Sequence, residues 1–213
     1  MRLGRTSGVA VMMNIAYRVK KGLYLNITNR CPCNCSFCLR NKAPGVYGSD
    51  SLWLDHEPSL SEVLAAVASA EFGTCEEVVF CGYGEPTERL DVMLAVAREI
   101  KGRVPSMPIR LNTNGLGDLI NSTSIAPRLK GLVDTVSISL NSSNPDKYCD
   151  ICRPSFGRQS WQSVVDFASS CRQYVPNVVF TIVGSPITTP DEQSRCKNIA
   201  DSIGVSLRIR PCE

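Results

Sequence analysis

Apolar residues along the chain switch repeatedly between alternation and three-and-four spacing. Leu23–Thr28 alternates, with Leu23, Leu25 and Ile27 on one face and Tyr24 and Asn26 on the other, which predicts a strand. Glu77–Cys81, Ile109–Thr113, Thr135–Asn141, Val178–Val183 and Val205–Arg210 predict five more. Helical patterns separate them. Ser59-Leu60-Ser61-Glu62 forms a capping box ahead of Leu60, Val63, Leu64 and Val67. Leu90, Met93, Leu94 and Ala97 mark a second helix. Trp161, Val164, Val165, Ala168 and Cys171 form the stripe of a third over Gln159–Arg172. Thr189-Pro190-Asp191-Glu192 opens the last, with threonine as cap, proline at the first position and glutamate closing the box.

Strands alternating with helices mean repeated βαβ units and a parallel sheet. A doubly wound sheet, covered on both sides, needs strands apolar on both faces. Several of these strands carry one polar face: Asn26; Arg110 and Asn112; Ser137, Ser139 and Asn141; Thr181; Arg208 and Arg210. The pattern therefore predicts an α/β fold, a partial (βα)6 TIM-type barrel of parallel strands, open on one side. Helices cover the apolar face, the polar face lines the interior, and chemistry sits at the C-terminal ends of the strands. The barrel domain is expected over residues 23–213. Residues 1–22 form an N-terminal extension, in which Met12 and Met13 offer alternative starts.

Composition narrows the class. The 213 residues are 43% hydrophobic and 20% charged, enough for a packed core and unlike a disordered or fibrous chain. No apolar run approaches a membrane span, so no membrane association is expected. The net charge of +3 does not indicate a dedicated nucleic-acid surface. The basic N-terminal residues lead into no apolar core with a cleavage site, which gives no signal peptide and an expected cytoplasmic location. His56 is the one histidine, so no site needing two imidazoles can form within a chain. Eleven cysteines without export point to metal binding rather than to a disulfide framework.

Four cysteines fall together in Cys31-Pro32-Cys33-Asn34-Cys35-Ser36-Phe37-Cys38. Cys31, Cys35 and Cys38 have the spacing C-x3-C-x2-C, and three thiolates can each hold one iron of a [4Fe–4S] cube, leaving the fourth iron open. The loop alone also allows a structural zinc site that recruits Cys33. On the cluster reading Cys33 is a passive thiol, because a fourth thiolate would block the open iron.

The loop, placed directly after the first strand and with Phe37 before its last cysteine, resembles that of the radical SAM superfamily. The resemblance implies S-adenosyl-L-methionine chelated to the open iron of the cluster on Cys31, Cys35 and Cys38. Reductive cleavage then gives a 5′-deoxyadenosyl radical that abstracts hydrogen from a substrate, here unidentified. It also implies an external electron donor such as a ferredoxin or flavodoxin. Cys81-Gly82-Tyr83-Gly84-Glu85-Pro86 is similar to the family's Gly-Gly-Glu-Pro turn, which holds the methionyl ammonium, with Tyr83 and Gly84 standing at the two glycines. Asn112, Asn114, Ser139 and Asn141, in the turns after the third and fourth strands, are implied near the methionyl carboxylate and ribose, and Val183-Gly184 near adenine.

More closely, Leu23–Arg40, Leu52-Trp53-Leu54, Phe80–Thr87, Leu111–Gly115, Val136–Asn141 and Cys152-Arg153-Pro154 resemble radical SAM proteins named for association with TatD-family nucleases. A TatD-like nuclease is thus an implied partner. The alternative function is a non-catalytic metal-binding adaptor for such a nuclease. Cys149 and Cys152 make a second C-x2-C, read as ordinary reduced thiols. Arg110, Arg153, Arg208 and Arg210 are candidates to hold an anionic substrate in the cavity. His56 is expected to be a solvated loop residue.

Overall fold

The computed structural model describes residues 13–45, 48–70 and 74–212. The expectation of alternative starts in the first dozen residues lies outside them. One seven-stranded sheet runs in chain order: β1 (Ala16–Val19), β2 (Gly22–Leu25), β3 (Glu77–Phe80), β4 (Ile109–Thr113), β5 (Thr135–Ser139), β6 (Asn177–Val183) and β7 (Ser206–Arg210). Strands β2 to β7 are mutually parallel, as their helical crossovers require. The architecture is the open α/β barrel that the alternation predicts.

One strand was not foreseen. Ala16–Val19 pairs antiparallel with β2 through a two-residue Lys20-Lys21 turn, Lys20 taking φ +54°. Two lysines carry none of the glycine or asparagine signal of a tight hairpin, and four residues are too few to show a period. The helices are α1 (Leu60–Ser69), α2 (Leu90–Arg103), α3 (Gly117–Asn121), α4 (Ala126–Leu129), α5 (Pro145–Cys152), α6 (Gln159–Cys171) and α7 (Pro190–Ser202). Three of these, α3 to α5, are too short for a three-and-four stripe to stand out. Asn144 caps α5 by accepting from the Asp146 and Lys147 N–H groups at 2.8 and 3.1 Å.

The two faces of the strands divide as expected. Ile109 and Leu111 of β4 and Val136 and Ile138 of β5 are fully buried under α2 and α6, whose Met93, Ala97, Val164 and Phe167 are equally inaccessible. Arg110, Asn112, Ser137 and Ser139 turn the other way and line an internal cavity. Strand β5 stops at Ser139, two residues early, because Asn141 adopts the left-handed conformation (φ +57°) and turns the chain toward α5.

The capping box on α1 forms as the sequence indicates, Ser59 and Glu62 exchanging hydrogen bonds. At α7, Thr189 does cap the Glu192 N–H, but the Glu192 carboxylate does not close the box. It leaves its own helix and accepts from Ser142 Oγ and the Ser143 N–H, each at 2.8 Å, and from Arg195. Better donors in the β5–α5 turn outbid the Thr189 backbone, and α7 is thereby fastened to that turn. Burial by itself would raise the Glu192 pKa; these donors outweigh it and hold the carboxyl down to about 2. A carboxyl depressed on folding contributes stability above its unfolded pKa and loses it on acidification. Wild type is therefore expected to be more stable than Glu192→Gln at neutral pH. Urea unfolding should show that gap narrowing as the pH falls below about 4.5 toward 2.

Candidate functional site

The cavity, about 1040 Å³, lies on the polar side of the sheet. The cysteine loop, between β2 and a 3₁₀ turn at Leu39–Asn41, covers one end. Cys31, Cys35 and Cys38 are part of the cavity wall together with Phe37; Cys33 is not, and is only 5% exposed. The loop's spacing thus sorts its four thiols into three that face the chamber and one that does not.

Cys33 instead faces its neighbours in the loop. Its thiol pKa is raised, first because its proton is shared with Cys31 and Cys35, then by burial. Cys35 is held down to about 4, first by a hydrogen bond from Cys152 and then by one from Cys33. Arg40 supplies a cation to this group and donates to the Cys33 carbonyl at 2.9 Å. All eleven cysteines are free thiols. Among the described residues no three His, Cys, Asp or Glu side chains converge on a single-ion position. A cube spreads its ligands over separate iron corners, so three cavity-facing thiols suit it without such convergence.

A clasp holds the loop from behind. The Asn34 and Ser36 N–H groups donate to the Cys152 and Ile151 carbonyls at the end of α5, at 3.1 and 2.9 Å. Ser155 N–H returns a bond to Pro32 at 2.8 Å, and Cys33 bridges to Pro154. The second C-x2-C therefore splits. Cys152 is buried against Cys35, and Asn141 donates to its sulfur at 3.5 Å, while Cys149 packs only at the core's margin. Asn141, expected at the cofactor, is turned to this sulfur by its left-handed backbone and does not line the cavity. Arg153 caps α5 with φ +45° and is exposed, away from the cavity.

The turn after β3 is built around two close approaches. A Cβ on Gly82 would lie 2.0 Å from Asn26 Oδ1, and one on Gly84 would lie 2.2 Å from the Thr28 carbonyl oxygen. Tyr83 is tolerated between them because its ring packs with Tyr17 and Leu52 and meets Trp53 edge-on, with centroids 5.3 Å apart. Glycine is thus needed at 82 and 84, and not at 83. Asn26, fully buried, donates to the Leu52 carbonyl at 2.7 Å and leaves its Oδ1 without a partner.

Glu85 is 3% exposed and joins three turns. Its N–H donates to the Arg30 carbonyl, one residue before Cys31, at 2.7 Å. Its carboxylate accepts from Thr87 Oγ1 (2.8 Å), Thr87 N–H (3.2 Å), Thr113 Oγ1 (2.7 Å) and Asn114 N–H (2.7 Å). A carboxylate has about four lone-pair sites; three of these donors reach Oε1 and one reaches Oε2, which leaves acceptor capacity on Oε2 at the cavity wall. Burial raises its pKa, against the pull of these donors. Asn114 in turn aims Nδ2 at the Cys31 and Cys33 sulfurs, 3.8 and 3.9 Å away. Asn112, Asn114 and Ser139 line the cavity, together with Val183, Arg110, Arg208 and Arg210. His56 is exposed and pairs with Glu62 at 2.9 Å, outside the cavity. Arg40 and Cys81 also face the cavity, each at one end of a motif-bearing segment in which no role attaches to it.

The model of the radical SAM superfamily matches residues 25–195. The chain belongs to this superfamily. Curated relatives include a GTP 3′,8-cyclase of Streptomyces coelicolor, 28% identical over 71% of this chain and 42% of the relative. A probable GTP 3′,8-cyclase of Methanosarcina acetivorans is 34% identical over 60% of this chain and 35% of its own length. The chain matches well under half the length of each. A radical SAM methyltransferase from Sphaerobacter thermophilus has the same fold, with TM-score 0.66 and 14% identity over 92% of this chain and 68% of that one. The FeFe-hydrogenase maturase from Carboxydothermus hydrogenoformans gives TM-score 0.56 and 17% identity over 90% of this chain and 44% of that one. The radical SAM family implies a [4Fe–4S] cluster and S-adenosylmethionine. The donor set fits both: three thiols on the chamber wall, and a glycine turn whose approach to the segment after β2 leaves no room for a side chain. Among the described residues, no helix is long and apolar enough to cross a membrane.

Crowding around Gly84 is against backbone, which cannot give way. Gly84→Ala is expected to cost about 1–3 kcal/mol of stability in urea unfolding of the cluster-free chain. Gly102→Ala, in α2 with open space around it, should be neutral or stabilising by about 0.5–1 kcal/mol.

Proposed function

We propose that this chain is a radical SAM enzyme, with a [4Fe–4S] cluster on Cys31, Cys35 and Cys38 and S-adenosylmethionine in the chamber beside it. One observation carries the reading. The three thiols with family spacing share a cavity wall with the Gly82–Glu85 turn and with Asn112 and Asn114, while the loop's fourth cysteine is turned out of it. When bound, the cluster supplies the electron that cleaves the sulfonium and so generates a hydrogen-abstracting radical.

The chain's own residues prepare that chamber. Cys33, buried and outside the cavity wall, supports the loop without facing the cluster site. Arg40 offsets the negative charge of the thiolates. Phe37 contributes apolar wall beside Cys38. Glu85 positions the turn, and the remaining acceptor capacity of its Oε2, together with the backbone carbonyls of the turn, is available to the methionyl ammonium. Asn112 and Ser139 offer hydrogen bonds to the carboxylate and ribose. The electron comes from an external donor such as a ferredoxin or flavodoxin. A TatD-like nuclease is the proposed protein partner, on the sequence resemblance alone.

Anaerobic reconstitution tests the reading. The protein should take up about four iron atoms per chain. On reduction with S-adenosylmethionine it should release 5′-deoxyadenosine. Serine at position 31, 35 or 38 should abolish the product, whereas Cys33→Ala should retain the iron. A colourless protein carrying zinc on these thiols, with no nucleoside released, would overturn it.

A further inference from the structure

The charges on the cavity's strand walls do not cancel. Arg110 of β4 is neutralised by Glu77 of β3, which it meets through Nε at 3.0 Å and through a terminal nitrogen at 2.6 Å. Tyr24 Oη and Asn112 Oδ1 accept its remaining bonds at 3.2 and 3.1 Å. The arginines of β7 differ. Arg208 donates to Ser137 Oγ at 3.3 Å, and Arg210 has a buried Nε with no acceptor. Among the described residues neither forms an ion pair with a carboxylate.

Positions 208 and 210 share one face of the strand, about 7 Å apart. Both belong to the cavity wall, opposite Thr181 and Val183 of β6 in register. Ser137, Ser139, Thr181 and Val183 make the wall beside them hydroxyl and aliphatic, while Tyr24 and the Glu77 carboxylate, already paired with Arg110, also act on Arg208. Arg208 is exposed, with desolvation, then Arg110 and Arg210, disfavouring its charge, while Arg210 is half-buried and its Nε is withdrawn from water. A guanidinium N–H withdrawn from water without an acceptor carries a desolvation penalty of about 1–3 kcal/mol. An oxyanion removes it, since guanidinium forks match carboxylate and phosphate oxygens.

We propose that Arg208 and Arg210 form an anion subsite that anchors a carboxylate or phosphate group of the substrate. This rests on the reading of the cavity as a radical SAM substrate chamber, and names the class of substrate: a small organic acid or phosphate ester. β7 ends the sheet, and the curl of the sheet brings Tyr24 of β2 and Glu77 of β3 within electrostatic reach of Arg208. The arginine pair and the three thiols line the same cavity, so a ligand tethered at β7 shares it with the cofactor. Arg110, held by Glu77, and Arg153, outside the cavity, take no part.

The test needs neither cluster nor S-adenosylmethionine. Inorganic phosphate and succinate are titrated separately into the full cluster-free chain at low ionic strength, followed by calorimetry. Saturable binding of at least one probe is expected, weakened about tenfold or more in Arg208→Gln and in Arg210→Gln. Arg98→Gln, on the exposed side of α2, should bind like wild type. Tighter binding of phosphate assigns a phosphorylated substrate, and tighter binding of succinate a carboxylic acid. No saturable binding of either probe, or equal affinity in the variants, overturns the proposal.

A measurement on wild type guards against variants that fail to fold. Cys81 lines the same cavity and feels the charge of Arg210. Its alkylation by iodoacetamide, mapped by peptide mass spectrometry, should slow severalfold with the probe bound; an unchanged rate counts against the subsite. If the variants instead lose S-adenosylmethionine affinity in the reconstituted protein, the pair belongs to the cofactor and the substrate assignment falls. Failure to form 5′-deoxyadenosine would sink the enzyme reading and leave the anion titrations as they stand.

Discussion

The site depends on a single buried residue, through its carboxylate and its backbone N–H. Glu85 links three segments that are distant in sequence: the approach to the cysteine loop at Arg30, the turn at Thr87, and the Thr113-Asn114 turn that ends β4. An acid withdrawn from water is tolerable only where donors surround it, and the strand ends supply them. The turns beyond β2, β3 and β4 therefore cannot move independently. The loop that carries the thiols starts from a fixed point. Asn114 extends the chain of contacts from Glu85 to the Cys31 sulfur.

A second restraint reaches the loop from the opposite direction. The end of α5 and the segment after it hold Pro32, Asn34 and Ser36 by backbone hydrogen bonds. Cys152, Tyr148 and Asn141 fill the space behind. The loop is thus pinned by backbone on one side and faces the chamber with three sulfurs on the other. Function and packing fall on different sides of the same eight residues, which explains how a segment so rich in thiols keeps one conformation without a disulfide.

Much of this was legible in the sequence. Six strands, four helices and the open barrel follow from periodicity, because strands with one polar face need an interior that tolerates polarity. Arg110, Asn112 and Ser139 were placed in the cavity by alternation alone, and Cys33 was separated from its neighbours by spacing. What escaped lay below the length at which a period shows: the β1 hairpin and helices α3 to α5. Asn141 and Arg153 escaped for another reason. Both take left-handed backbone conformations, which redirect a side chain irrespective of its position in a pattern. Glu192 looked like a helix cap and became a tertiary link, since the serines that claim it lie some fifty residues earlier and no local motif contains them.

The glycine turn has an evolutionary corollary. Gly82 and Gly84 are wedged against Asn26 and Thr28, just beyond β2, whatever the chamber contains, so selection for a folded chain alone would preserve them, even in a descendant that had lost turnover. The thiols at 31, 35 and 38 face the chamber, although Cys31 and Cys35 also pack against the core, so their identity as cysteine answers to what the chamber holds. In comparing homologues of this shape, the turn testifies to ancestry, and the three sulfurs testify to living chemistry.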